Sequence, residues 1–193
     1  MIPTPRRHAA HDAQRFAVTP PPGYALAILL ALGGVLPLLF IGIALVAEPA
    51  DADLRKLWPA LLIVPLALML MCAALRRRSV ELRDGVLEVR AALFRHRVAA
   101  TALDLKRARI VDLAERTELR PLLMTNGMSL PGFHAGWFRL CEKLGKGFCL
   151  LTDRRRVLWL PGRNGGVTLL LSLQQPQQLL DALRDVAPPG RAR

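Results

Sequence analysis

The apolar positions divide this chain into two unlike parts. From Tyr24 to Ala47 the run YALAILLALGGVLPLLFIGIALVA contains no charged residue, and a second run, LWPALLIVPLALMLMCAAL, covers Leu57 to Leu75. At 1.5 Å per residue these runs reach about 36 Å and about 28 Å as helices, against a hydrocarbon core of about 30 Å. Neither has a polar stripe, so the pattern predicts two transmembrane spans rather than helices lying on a membrane surface. Pro37 and Pro65 near the span centres predict kinks. Gly33, Gly34 and Gly42 predict close approach of the two helices. The absence of Asp, Glu, Lys, Arg and His inside the spans argues against a transport path or proton relay there.

After Ser79 the texture changes to short alternations of apolar and polar residues, the period of half-buried strands. Val80–Arg83 and Val86–Arg90 flank Asp84-Gly85, a two-residue hairpin signal. Further strands are expected at 97–103, 108–113, 137–141, 148–152, 156–160 and 167–172. The stretch 114–136 is punctuated by Pro121, Gly127, Pro131, Gly132 and Gly136 and reads as irregular. Pro176 opens a helix with Leu179, Leu180, Leu183 and Val186 on one face, and Pro188-Pro189-Gly190 ends it. About seven short strands and one amphipathic helix predict a bent sheet or partly open barrel closed at one end by the helix.

Charge assigns an orientation. Arg6, Arg7 and Arg15 precede the first run and Arg76, Arg77 and Arg78 follow the second, whereas Glu48, Asp51 and Asp53 outnumber Arg55 and Lys56 between them. Both termini are therefore expected in the cytoplasm and the short connection outside. Tyr24 and Trp58 lie at span ends, where amphipathic rings sit at the interface. The expected organisation is a cytoplasmic arm at 1–23, a transmembrane hairpin at 24–75 with spans 24–47 and 57–75, a cytoplasmic domain at 79–187 and a flexible tail at 188–193. A cleaved signal peptide is the competing reading, with Ala50-Asp51-Ala52 as a small-x-small site. The first run is much longer than a usual signal core, which disfavours it.

Across 193 residues the chain is 52% hydrophobic, 22% charged and carries a formal net charge of +12. Such a balance points to anionic lipid, nucleic acid or acidic partners, or simply to topology signals. Acidic residues are interspersed with the basic ones and no nucleic-acid-reading motif is present, so nucleic acid is not expected as a partner. The cysteines Cys72, Cys141 and Cys149 form no CxxC pair or Cys/His cluster; no metal or other cofactor is expected, and buried packing is.

The segment Thr125–Leu140, TNGMSLPGFHAGWFRL, resembles the signature of a bacterial pleckstrin-homology (PH)-like domain family, with Asn126, Gly127, Pro131, Gly132, Gly136 and Phe138 at the motif positions. Leu151-Thr152-Asp153, Val157–Leu160 and Ser172–Pro176 follow its later pattern in outline, with Leu173, Gln175 and Gln177 as departures. The resemblance covers roughly 78–186. It implies a seven-stranded domain with a C-terminal helix, often preceded by membrane spans, and no assigned activity.

No P-loop, GxSxG, HExxH or Rossmann pattern occurs, and no catalytic residue is expected. His134 lacks a carboxylate or nucleophile close in sequence, and His96, between Arg95 and Arg97, reads as exposed. Arg76, Arg77 and Arg78 are candidate ligands for lipid head groups, beside their topological role. Lys106, Arg107 and Arg109, with Arg154, Arg155 and Arg156, form a candidate second basic patch. The sequence therefore predicts a non-enzymatic, membrane-anchored interaction module that binds a protein partner or its own copies. Anionic-lipid sensing is the alternative, and an unrecognised enzyme the remote one.

Overall fold

The computed structural model describes residues 14–47, 54–141 and 145–187. Arg6, Arg7, Glu48, Asp51, Asp53 and the expected tail lie outside them.

A first strand, β1 (Gln14–Phe16), precedes the apolar helices. α1 (Gly23–Leu30) runs through a π-helical turn at Ala31–Val35 into α2 (Leu36–Ala47). The π turn sits one step before Pro37. Leu36 N–H reaches back five residues to the Ala31 carbonyl, and the extra residue relieves the ladder that proline interrupts. Gly23–Ile43 is long and apolar enough to cross a membrane, with 6% of it buried inside the protein. α3 (Leu54–Arg76) continues through Pro59 and Pro65. A Cβ added at Gly33 or Gly34 would meet the Leu68 side chain at 3.3 or 3.0 Å, so these glycines do admit the second helix, whereas Gly42 faces open space.

The rest is mainly β. A four-stranded sheet has the order β1-β2-β3-β4, from β2 (Arg78–Arg83), β3 (Val86–Ala91) and β4 (Phe94–Ala99). Asp84 and Gly85 both take positive φ, as the hairpin signal requires. A second sheet of six strands has the order β5-β9-β10-β8-β7-β6, from β5 (Arg109–Val111), β6 (Pro121–Leu130), β7 (Phe133–Leu140), β8 (Lys146–Leu151), β9 (Val157–Leu160) and β10 (Thr168–Ser172). β10 lies between β8 and β9, parallel to the first and antiparallel to the second. The domain thus has more strands than the seven expected, and β4 starts earlier than the stretch at 97–103.

Two apolar clusters follow from strand alternation. Phe148, Leu150, Leu158, Leu160, Leu169 and Leu171 face the first, with Val80, Leu87 and Val89 of the four-stranded sheet. Cys149, Leu151, Val157, Trp159 and Leu170 face the second, which Leu113 and Leu119 cover. A sheet buried on both faces explains why β8 to β10 read as continuous apolar runs. α4 (Pro176–Val186) places Leu179, Leu180 and Leu183 in the first cluster, on the expected face.

Candidate functional site

The helices are set into the β domain rather than linked loosely to it. Ala25 near the start of α1 and Ala74 and Leu75 near the end of α3 are buried in the first core cluster. The arm before α1 completes the joint. β1 pairs antiparallel with β2 in the register Gln14↔Leu82, Arg15↔Glu81 and Phe16↔Val80. Thr19 N–H then donates to the Ser172 carbonyl and Gln174 N–H to the Ala17 carbonyl. The chain upstream of the first apolar helix and the chain downstream of the second therefore share one hydrogen-bonded framework.

At the end of α3 this joint encloses an open cavity of about 650 Å³ lined by Arg15, Arg76, Arg77, Arg78, Arg90 and Arg95. The sequence-predicted trio Arg76–Arg78 is thus brought together and joined by three further arginines. Several of these charges are already compensated. Arg15 pairs with Glu81 at 3.2 Å, and Arg90, Arg95 and Arg97 converge on Glu88 at 2.7, 2.7 and 2.8 Å. Desolvation works to raise the Glu88 carboxyl pKa, but hydrogen bonds and charge from Arg90 and Arg97 outweigh it and hold it below its ordinary value. Arg78 donates to the Thr19 carbonyl at 3.4 Å, burial lowers its pKa, and its Nε has no partner among the described residues. Arg76 and Arg77 are exposed and make no ion pair among the described residues. Leu93, in the β3–β4 turn at the cavity wall, is 71% exposed.

A second cavity of about 660 Å³ lies where α1 begins, lined among others by Tyr24, His134, Thr152, Arg154 and Arg155. His134 Nδ1 is 2.9 Å from Ser129 Oγ across the β6–β7 hairpin. Burial and the nearby Arg154 charge lower the His134 pKa. Asp112 and Glu115 line neither this cavity nor the smaller one that also reaches His134. The residues of the candidate second basic patch take several placements. Arg107 and Arg109 stack over Trp159 at 5.8 and 5.0 Å, Arg154 and Arg155 line the second cavity, and Lys106 and Arg156 are exposed.

The Gly/Pro segment is irregular only over 114–120; from Pro121 it is strand. Pro121 onwards forms the β6–β7 hairpin, with Pro131-Gly132 as its two-residue turn. Gly132 has φ +76°, and a Cβ there would strike Tyr24 and Pro22. Gly127 and Gly136 face each other across the ladder, where Cβ atoms would lie 2.6 Å from the Ala135 and Asn126 carbonyls. Asn126 follows a β-bulge, and Phe138 packs in the second core cluster. The motif residues therefore permit close strand packing, a role glycine also signals when read as punctuation.

No family model, no curated protein and no solved structure matches this chain. Its site has to be read from its own residues.

Two further features escaped the sequence. His96 is half-buried, its ring 4.8 Å from Trp137 and 5.3 Å from Phe148, with Nε2 buried and unpaired among the described residues. This corrects the exposed reading; burial lowers its pKa. Leu122, Leu123 and Met124, each more than half exposed, lie on β6 at the edge of the six-stranded sheet. A run of apolar residues on a bulged edge strand was legible, but proline and glycine around it masked the strand. Cys149 is buried, with its thiol pKa raised, while Cys141 is exposed, against the expectation that all the cysteines are packing residues.

Proposed function

We propose that this protein is a membrane-anchored, non-enzymatic interaction module: a two-span hairpin that fixes a β domain at the inner face of the bacterial cytoplasmic membrane. The carrying observation is the β1–β2 pairing. Two segments in one sheet lie on the same side of any bilayer, so an even number of crossings must separate them. If Gly23–Ile43 crosses, α3 is the returning leg. The basic residues on both flanks support a cytoplasmic position for that shared side. A signal-peptide reading loses support, because cleavage near Ala50 would sever β1 from the chain that holds β2.

The four-stranded sheet, the second sheet and the C-terminal helix, whose apolar face joins the core cluster to which both contribute, support a PH-like reading of the domain. The parallel β8–β10 pair is this chain's own departure. The edge strand β6 is the surface for a protein partner or another copy. Among the described residues no strand pairs with its outer edge, beside exposed Leu122, Leu123 and Met124, the arrangement used in strand addition. Tethering raises local concentration, so weak contacts suffice.

Photo-crosslinking of the full chain in its native membrane, with the probe at Leu122, Leu123 or Met124, tests this. Discrete adducts at these positions, absent from a probe at exposed Arg184, are expected; an adduct of twice the chain's mass marks self-assembly. Equal diffuse labelling at all these positions contradicts the reading.

A further inference from the structure

The cavity at the end of α3 combines three properties that chance surface arginines lack. First, it has a fixed place, because Ala74 and Leu75 just before it are buried in the domain core and Arg77 accepts a hydrogen bond from Ala92 N–H. Second, its charges divide by role. Glu81 and Glu88 hold Arg15, Arg90 and Arg95 in place as walls, while Arg76 and Arg77 remain without an acidic partner among the described residues. Third, the wall carries an apolar tip. Ala92 takes φ 55°, a left-handed conformation that a non-glycine residue rarely adopts, and the turn it forms leaves Leu93 exposed beside the end of an apolar helix.

We propose that this cavity binds the phosphate of an anionic phospholipid of the inner leaflet, with Arg76 and Arg77 as the main ligands and Leu93 inserted among the acyl chains. The inference rests on the two-span anchoring and extends it to the lipid. Guanidinium groups match phosphate oxygens in fork geometry. The paired walls add guanidinium groups already oriented by Glu81 and Glu88 beside Arg76 and Arg77, so their share of the contacts carries a smaller ordering cost. Ser79 lines the same cavity and supplies a hydroxyl donor. Leu93 explains the choice of a bilayer lipid over a soluble phosphate compound: a soluble ligand gains nothing from an apolar tip in water, whereas a tip in the acyl region removes apolar surface from water.

Two measurements test this on the full chain. In native mass spectrometry from neutral detergent, titrated with phosphatidylglycerol, phosphatidylcholine or inorganic phosphate, the protein is expected to retain phosphatidylglycerol preferentially. The Arg76→Gln/Arg77→Gln variant is expected to weaken that retention about thirtyfold, the equivalent of about 1 kcal/mol for each arginine. In a Trp58→Phe background, in vesicles containing phosphatidylglycerol brominated on its acyl chains, the emission added by Leu93→Trp is expected to be quenched and that added by Leu122→Trp not. Equal retention of both lipids, retention unchanged in the arginine variant, or no quenching at position 93 overturns the proposal. Inorganic phosphate competing as well as the lipid assigns the cavity to a soluble compound and overturns it too. Loss of the lipid preference leaves the β6 crosslinks in place, so the two readings fail separately.

Discussion

Arg15, upstream of the first apolar helix, and Glu81, downstream of the second, are register partners in one antiparallel ladder and form an ion pair at 3.2 Å. The pair is exposed on the Arg15 side and contributes little stability by itself. Its importance is topological: it marks where two segments separated by both apolar helices meet. What holds them together is the ladder and the packing of Phe16 and Val18 on the first core cluster.

Phe16→Ala therefore tests the arm. Truncating a half-buried ring costs less than the usual core value, about 1 to 3 kcal/mol. Thermal unfolding in detergent should show that loss, whereas Arg15→Ala should shift the midpoint by far less.

The β6–β7 hairpin makes a second contrast. Gly136 has φ +114°, and a Cβ there would lie 2.6 Å from both the Asn126 carbonyl and Gly127 Cα. Gly165 has φ +75° and open space. Gly165→Ala should cost about 1 to 2 kcal/mol from backbone strain alone. Gly136→Ala adds a backbone clash and should cost more than about 3 kcal/mol or prevent folding. Denaturant midpoints of the two variants check the ranking.

Glu88 gives a pH dependence with a fixed sign. Its folded-state pKa lies below the unfolded value of about 4.3. The stabilisation it contributes is thus complete above that value and is lost as pH falls through the lower, folded-state pKa. Glu88→Gln should be less stable than the parent protein at pH 7 and converge with it in acid. Added salt should narrow the gap at pH 7.

His96 titrates in the opposite context, a neutral ring buried among aromatic residues. Its folded-state pKa is depressed by burial, so stability is full above about 6.5 and falls as pH drops below it. His96→Phe keeps the ring contacts with Trp137 and Phe148 and removes the proton. Unfolding midpoints between pH 7.5 and 5.5 should change less in this variant than in the parent.

The apolar runs, the Asp84-Gly85 hairpin, the α4 face and the cationic trio Arg76–Arg78 were all legible because each depends on local spacing. Three things were not. β1 carries three residues and gains its meaning only from its partner strand. The turn at Ala92-Leu93 lacks the glycine that usually marks a left-handed position, so Arg90 and Arg95 were not seen as cross-strand neighbours. At Gly127 and Gly136 glycine serves close backbone approach inside a ladder, which the sequence pattern alone does not separate from a loop. The order of β8, β9 and β10 depends on non-local pairing that no periodicity encodes.

The central claim is that the arm and the domain meet on one side of a membrane. A paired Arg15→Cys/Glu81→Cys variant, with Cys72 and Cys141 replaced, measures it in native membranes. Directly opposed antiparallel positions fall within disulfide range, and Cys149 stays buried with its thiol pKa raised. Near-complete intramolecular disulfide formation in a carbonate-resistant membrane fraction is predicted, with both thiols of the reduced protein labelled from the cytoplasmic face only. Recovery of the chain in the high-speed supernatant without detergent, or labelling of the two positions from opposite faces, would contradict it.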